Sequence, residues 1–255
     1  MKITFKRIIA ILILSLTTLV SVAQSNFLSN QKKYSRVRTA IKEKNQTVAG
    51  RLSEYGIELG SLNILIVAYK AEGLLNLYAK NKADSSYNLL NTYSICAESG
   101  ELGPKREQGD YQVPEGFYYI DRFNPASSFY LSLGINYPNK SDKLKSSAPY
   151  LGGDIFIHGD CVTIGCIPMT DDKIKEIYLY ATYAKQQGQK KIPVYIFPFK
   201  MTDKNYNRYK QDYKNNIELL EFWTNLKTGH DLFFTGNKEL KFSVNSEGDY
   251  VLETN

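Results

Sequence analysis

One of only two histidines in the chain, His158, stands eight residues before Cys166 in the stretch Ile157-His158-Gly159-Asp160-Cys161-Val162-Thr163-Ile164-Gly165-Cys166. A cysteine is a strong nucleophile only as its thiolate, and a neighbouring imidazole is the commonest group to take the proton. The pair points to acyl transfer, with Cys166 as nucleophile and His158 as base, and implies a thiol that reacts below the ordinary value of about 8.5. Fully extended chain would hold the two about 26 Å apart at roughly 3.3 Å per residue, so they meet only across a reversal. Gly159, directly after the histidine, and Gly165, directly before the cysteine, supply the backbone freedom for that bend. Gly165 also lets a substrate approach the main chain, which makes the amides around Gly165 and Cys166, with Gly159, the candidate oxyanion and substrate-binding groups. Thr163 is the candidate third member, setting the tautomer of the imidazole as an orienting group does in a triad.

Plainer readings stand beside these. Three cysteines in an exported chain leave at least one thiol unpaired or all three free. A Cys161–Cys166 disulfide would silence the nucleophile until reduced. A zinc site from His158, Cys161 and Cys166 has a permissible spacing but no fourth ligand nearby, so no metal is expected. Cys96 reads as a small buried hydrophobe and His230, in a Thr-Gly-His-Asp turn, as a surface or capping residue. Lys105, Arg106, Lys140 and Lys143 are candidates to meet substrate carboxylates, with solvated charge as the default for each.

The elements that must position the pair are mostly strands. Residues 62–69 and 74–79 are apolar and β-branched around Lys70-Ala71-Glu72-Gly73, which reads as a hairpin. Further strands are expected at 89–96, 117–122, 129–135, 154–158 and 193–199, each bounded by Gly, Pro, Asn or Ser. A helix precedes them over 32–55, where Val37, Ile41, Val48 and Leu52 share a face. Another follows the motif, capped by Thr170, with Asp171 and Asp172 at the positive end of its dipole, a buried stripe at Ile174, Ile177, Tyr178, Ala181 and Ala184, and Gly188 as its stop. A last helix over 205–226 and a hairpin around 245–249 complete a mainly β chain with flanking helices, an α+β fold.

Residues 1–23 carry Lys2, Lys6 and Arg7, an apolar run and then Ser21-Val22-Ala23, the pattern of a secretory signal cleaved after Ala23. Gln24, where a lipoprotein would have cysteine, argues against a lipid anchor. Without the leader the charge falls from +6 to +3, as 29 Lys and Arg stand against 26 Asp and Glu. That excess is too small to imply a nucleic acid partner. The mature chain is expected to be periplasmic or otherwise exported, soluble, and large enough to bury one core.

His158-Gly159 followed by Thr163-Ile164-Gly165-Cys166 resembles the signature of the L,D-transpeptidase (YkuD-like) catalytic domain, a histidine-glycine pair ahead of a [Ser/Thr]-x-Gly-Cys nucleophile. Gly103-Pro104-Lys105 and the block from Gly109 to Tyr118 are similar to that family's upstream stretch, and Cys161 with the run from Cys166 to Asp171 is most similar to its YafK-like branch. Two features depart from the family: the loop between histidine and cysteine is shorter, and Pro168 stands where arginine or asparagine is common. The resemblance implies a β-sandwich catalytic domain over 61–200, after a helical segment over 24–60 and before a C-terminal helix and hairpin over 201–255. It also implies that Cys166 attacks peptidoglycan stem peptides through a thioacyl intermediate without a cofactor. The acceptor decides the product: an amine gives a cross-link or a protein anchor, whereas water gives a carboxypeptidase or an amidase that detaches a wall-linked lipoprotein. A non-catalytic wall-binding module with the same fold is the remaining class.

Overall fold

The computed structural model describes residues 26–253, so the leader read over residues 1–23 lies outside the described residues. Two helices open it, α1 (Asn26–Gln31) and α2 (Ser35–Glu54), followed by strands β1 (Leu62–Tyr69), β2 (Leu74–Asn81), β3 (Asn88–Ser94), β4 (Gly116–Asn124) and β5 (Ser132–Ile135). A short helix α3 (Lys140–Lys145), β6 (Phe156–His158), β7 (Ile167–Pro168), the long helix α4 (Asp171–Gln186) and β8 (Ile192–Phe197) come next. Helices α5 (Asp203–Asp212) and α6 (Ile217–Gly236) and a hairpin of β9 (Phe242–Val244) and β10 (Tyr250–Leu252) close the chain.

Eight strands form one sheet in the order β3-β2-β1-β8-β4-β5-β6-β7. Its pairs are antiparallel except β1 with β8 and β6 with β7. The sheet curls until its two ends meet: the Cys96 amide, just past β3, donates to the Pro168 carbonyl of β7 at 3.0 Å. A Cys96–Cys161 disulfide, with Cα atoms 5.4 Å apart, joins the same two ends. The fold is therefore mainly β with flanking helices, closed on itself.

Both faces of the sheet are covered, which is why β1 and β8 read as unbroken apolar runs rather than alternating ones. On the inner face Ile64, Ile66, Val194 and Ile196 pack with α4. On the outer face Leu65, Val67, Phe197 and Phe199 pack with Trp223, Leu226 and Phe233 of α6. Each such side chain contributes roughly 1.5–3 kcal/mol when fully buried. The Thr170 hydroxyl caps α4 by accepting from the Lys173 amide at 3.3 Å. All five residues of the expected stripe are buried, but so are Leu179, Tyr180, Thr182 and Tyr183. With the sheet on one side and α1 and α2 on the other, α4 is encased rather than amphipathic.

The single helix expected over 205–226 is two. α5 ends at Asp212, and α6 restarts behind Asn216, whose side chain accepts from the Leu219 amide at 3.2 Å, then runs ten residues beyond the expected end. The strand expected from residue 129 begins at Ser132, because Tyr130 sits at φ +67° and cannot join an extended ladder. The two-residue strand β7 had no signal in the sequence; tertiary pairing with β6 alone defines it.

Candidate functional site

Pairing of β6 with β7 brings the histidine and cysteine together. The parallel register sets Ile157 beside Ile167 and His158 beside Pro168, so one step back sets Phe156 beside Cys166. His158 lies one strand across and two residues along from Cys166, a Cα separation of about 8 Å given strand spacing near 4.8 Å and a rise near 3.3 Å. The reversal over 160–165 uses the backbone freedom of Gly165 as expected but not that of Gly159, which is not at positive φ. Gly165 is at φ +132°, and a Cβ there would stand 3.0 Å from the Gln112 carbonyl oxygen. At the other end Asp160 turns at φ +64°, and its amide donates to Asp171 Oδ1, at the start of α4, at 3.0 Å.

The imidazole of His158 is buried, with its Nδ1 2.5 Å from the Gly159 carbonyl oxygen and its ring 4.6 Å from that of Phe129. A carbonyl only accepts, so Nδ1 carries the hydrogen and Nε2 keeps its lone pair. Cys166 Sγ lies 3.7 Å from the Asp154 carbonyl oxygen, and the Phe156 amide N–H also faces the sulfur. No hydrogen bond joins sulfur and imidazole. Burial pushes the Cys166 thiol up, against the Phe156 amide that favours the thiolate, and burial likewise pushes His158 down. Both shifts favour the neutral forms, against the expectation of a thiol that reacts below its ordinary value.

Further expectations are corrected. Thr163 does not touch the imidazole: its hydroxyl donates to the Cys166 carbonyl at 2.9 Å and accepts from the Gly165 amide at 3.1 Å, closing the bend, while the Gly159 carbonyl orients the ring. Neither glycine amide is free, since Gly165 N–H is held by Thr163 and Gly159 N–H donates to the Leu131 carbonyl at 3.1 Å. Cys161 pairs with Cys96 and not with Cys166, which takes Cys161 out of any zinc set and leaves Cys166 as the free thiol. Cys96 is accordingly no mere buried hydrophobe. His230 is buried inside α6 among Tyr69, Phe197 and Phe234, not in a turn. Three of the candidate cations are structural: Lys105 binds Asp110 Oδ1 at 2.5 Å, Arg106 binds Asp142 at 3.3 Å, and Lys140 binds the Val244 carbonyl at 2.7 Å.

Cys166 opens into a cavity of about 190 Å³ whose far wall is the loop 95–102 and whose side is Lys70. Lys70 Nζ is fixed by the Gly103 and Val113 carbonyls and by Glu115, at 2.7, 3.0 and 3.0 Å. Glu115, fully buried, also accepts from Trp223 Nε1 of α6 at 2.8 Å, so the C-terminal region braces the cavity. Backbone strain concentrates here. Among the described residues, four of the five non-glycine residues at positive φ surround the bend: Tyr111, Tyr130, Asp154 and Asp160. Such conformations cost about 1–3 kcal/mol each and persist only where the surroundings impose them. Asp154 and Phe156, the partners of the sulfur, carried no sequence signal, because each acts through its backbone.

Among the described residues no group of three or more His, Cys, Asp or Glu side chains is placed to hold a metal ion. Residues 63–196 match the family model described as the L,D-transpeptidase catalytic domain (YkuD). The chain is 41% identical over 201 residues to the Escherichia coli (strain K12) protein named "Putative L,D-transpeptidase YafK", covering 78% of this chain and 77% of that one. Among solved structures, the helical cell shape determining protein Pgp2 from Campylobacter jejuni aligns with a TM-score of 0.42 at 20% identity over 77% of this chain and 80% of that one. Bd1075 of Bdellovibrio bacteriovorus aligns with a TM-score of 0.40 at 18% identity, over 78% and 79%.

Proposed function

Because the chain belongs to the L,D-transpeptidase catalytic domain family, whose members act on peptidoglycan stem peptides, we propose that it is an exported cysteine acyltransferase of the cell wall working through Cys166. The observation that carries this reading is the state of the three cysteines: two are tied together at the meeting ends of the sheet, and the third stands free at a cavity beside a histidine whose tautomer is already set. A disulfide with an exposed Cys161 also fits an oxidising compartment, in keeping with the leader.

In this mechanism a stem peptide enters the cavity and excludes water, and His158 Nε2 takes the proton of Cys166 as sulfur attacks the scissile carbonyl. The Phe156 amide stabilises the sulfur charge as it forms. The C–N bond breaks, the imidazolium returns the proton to the departing amine, and a thioester remains on Cys166. An amine or water then attacks that thioester, with His158 again as base, and the thiol is restored.

Incubation of the mature protein with purified sacculi, followed by mass analysis of the muropeptides, tests the reading. New linkages mean transpeptidation; shortened or detached stems alone mean hydrolysis. An unchanged muropeptide profile with retained sacculus binding would replace the enzyme by a wall-binding module. A thioester adduct on Cys166, absent from Cys166→Ala, is the direct signature.

A further inference from the structure

The connection from β4 to β5, residues 125–131, is gripped by a side chain from outside the sheet. Arg36 of α2 donates from Nη1 to the Tyr130 carbonyl at 2.6 Å and also to the Ser127 carbonyl. Its guanidinium lies over the Tyr130 ring, with Cζ 5.5 Å from the centroid, and Lys175 Nζ of α4 stands 5.7 Å from the same centroid. Between those two carbonyls the chain bends sharply: the Phe129 amide donates to Ser127 Oγ at 3.1 Å, and Tyr130 turns at φ +67°. A tyrosine keeps that conformation only where its surroundings impose it, and Arg36 binds the carbonyls at both ends of the turn.

That turn presses on the end of β6. The Phe129 ring lies against the His158 imidazole, and the Phe129 carbonyl oxygen and Tyr130 Cβ crowd Gly159, where a Cβ would come to 3.0 Å from each. Gly159 is not at positive φ, so this close approach is what its missing side chain serves. Its amide donates to the Leu131 carbonyl, and its own carbonyl is the group that holds His158 Nδ1. Contacts therefore run without a break from the guanidinium of α2 to both supports of the imidazole, the stacked ring and the accepting carbonyl. Plain packing is the competing account. Yet Phe129 stays 40% exposed while His158 is 1% exposed, so this aromatic gives a face to the imidazole and buries little of itself.

We propose that Arg36 is a positioning residue for His158, acting through the 127–130 turn to hold the imidazole in the orientation and tautomer that leave Nε2 free. The inference rests on the acyl-transfer reading above for its catalytic consequence and gives the N-terminal helical segment a role in it. Arg36 lies outside residues 63–196, the span of the family match, so the support comes from beyond the matched domain. The charged groups around the ring and its supports are Asp160 on the same bend, Asp171 at the start of α4, and Arg36 and Lys175 at Tyr130, with Glu43 of α2 bound to Lys175 at 2.6 Å. Phe129 keeps water from one face of the ring, which disfavours the imidazolium. Releasing the turn hydrates that face, so the protonation midpoint moves up toward the ordinary value of about 6.5.

The chain has only two histidines, so nitrogen NMR of the mature protein resolves the His158 ring, with His158→Gln identifying its signals. Wild type, Arg36→Gln, Arg36→Lys and Phe129→Ala are titrated, and each is assayed on a synthetic stem peptide. Wild type should show one tautomer, with hydrogen on Nδ1. Arg36→Gln should show mixed tautomers, a midpoint higher by about 0.5–1, and kcat lower by roughly 10- to 100-fold with KM within about twofold. The acid limb of kcat/KM should move to higher pH with it. Phe129→Ala, which removes no charge, should shift the midpoint the same way, and Arg36→Lys should recover part of the loss because one ammonium can still reach a carbonyl. These two carry the test if Arg36→Gln does not fold. A lower melting temperature in Arg36→Gln with tautomer and midpoint unchanged would mean a brace for the fold alone and overturns the proposal, as does a raised KM with kcat intact. If wild type turns over no peptide, the enzymatic reading falls by itself, and the NMR comparison still decides: altered tautomer and midpoint sustain the positioning of His158, and unaltered ones overturn it.

Discussion

The two ends of β4 differ in how they treat polar groups. At its start, next to α3 and the C-terminal hairpin, almost every polar atom is matched: Glu115 accepts from Gly103, Lys70 and Trp223, and Asp142 accepts from Tyr118, Arg106 and the Asn139 amide. Across β5 and β6 from its far end, the wall around Cys166 keeps strained non-glycine residues and a thiol without a hydrogen bond to the imidazole. The saturated end resists deformation and holds the other in a geometry it would not keep alone. Rigidity and reactivity are thus divided along one strand, as expected when strain persists only where surrounding structure over-determines it.

The sharpest test of that division is Cys166→Ala. Acyl transfer should fall by roughly 10³-fold or more, measured as product released from sacculi, with the melting temperature unchanged or raised. Glu115→Ala should do the reverse in kind, lowering stability in urea by about 3–5 kcal/mol, because it strands the buried Lys70 charge and the Trp223 N–H. Loss of the Cys96–Cys161 bond, by serine at either position, should lower stability by up to about 4 kcal/mol for a loop of 65 residues. Cys166 should remain alkylatable in both variants; a nucleophile lost with the disulfide would show that the two ends are not separable.

Asp142 offers a finer probe. Burial raises its carboxyl to about 6, so between about pH 4 and 6 the folded chain keeps a proton that the unfolded chain has lost. Its contribution is fully present below pH 4 and fades as pH rises through 6, by about 3 kcal/mol for a shift of roughly two units. Denaturant melts across that window should show the slope, and Asp142→Asn should flatten it. The smallest effect concerns the resting thiol: iodoacetamide should modify Cys166 with a midpoint above the ordinary thiol value of about 8.5. A second reactive limb at acidic pH would mean that a thiolate–imidazolium pair exists before substrate arrives.

Local signals in the chain were enough for most of its longer elements and for the candidate pair His158 and Cys166. Alternating and unbroken apolar runs marked β1, β2, β4 and β8, the Thr170 cap marked α4, and the glycine-flanked bend marked His158 and Cys166. These follow from side-chain type and near-neighbour spacing, which need no knowledge of what lies across the sheet. The pairing of Cys96 with Cys161 was illegible because 65 residues separate them and only curling of the sheet brings its ends together. The same holds for the roles of Asp154, Phe156 and the Gly159 carbonyl, which act through backbone atoms that any residue type carries, and for the occupied amides of Gly165 and Gly159. Composition determined which groups can ionise, attack or pair. Tertiary structure decided their charge at rest and their partners, because both depend on burial and on register between strands distant in sequence.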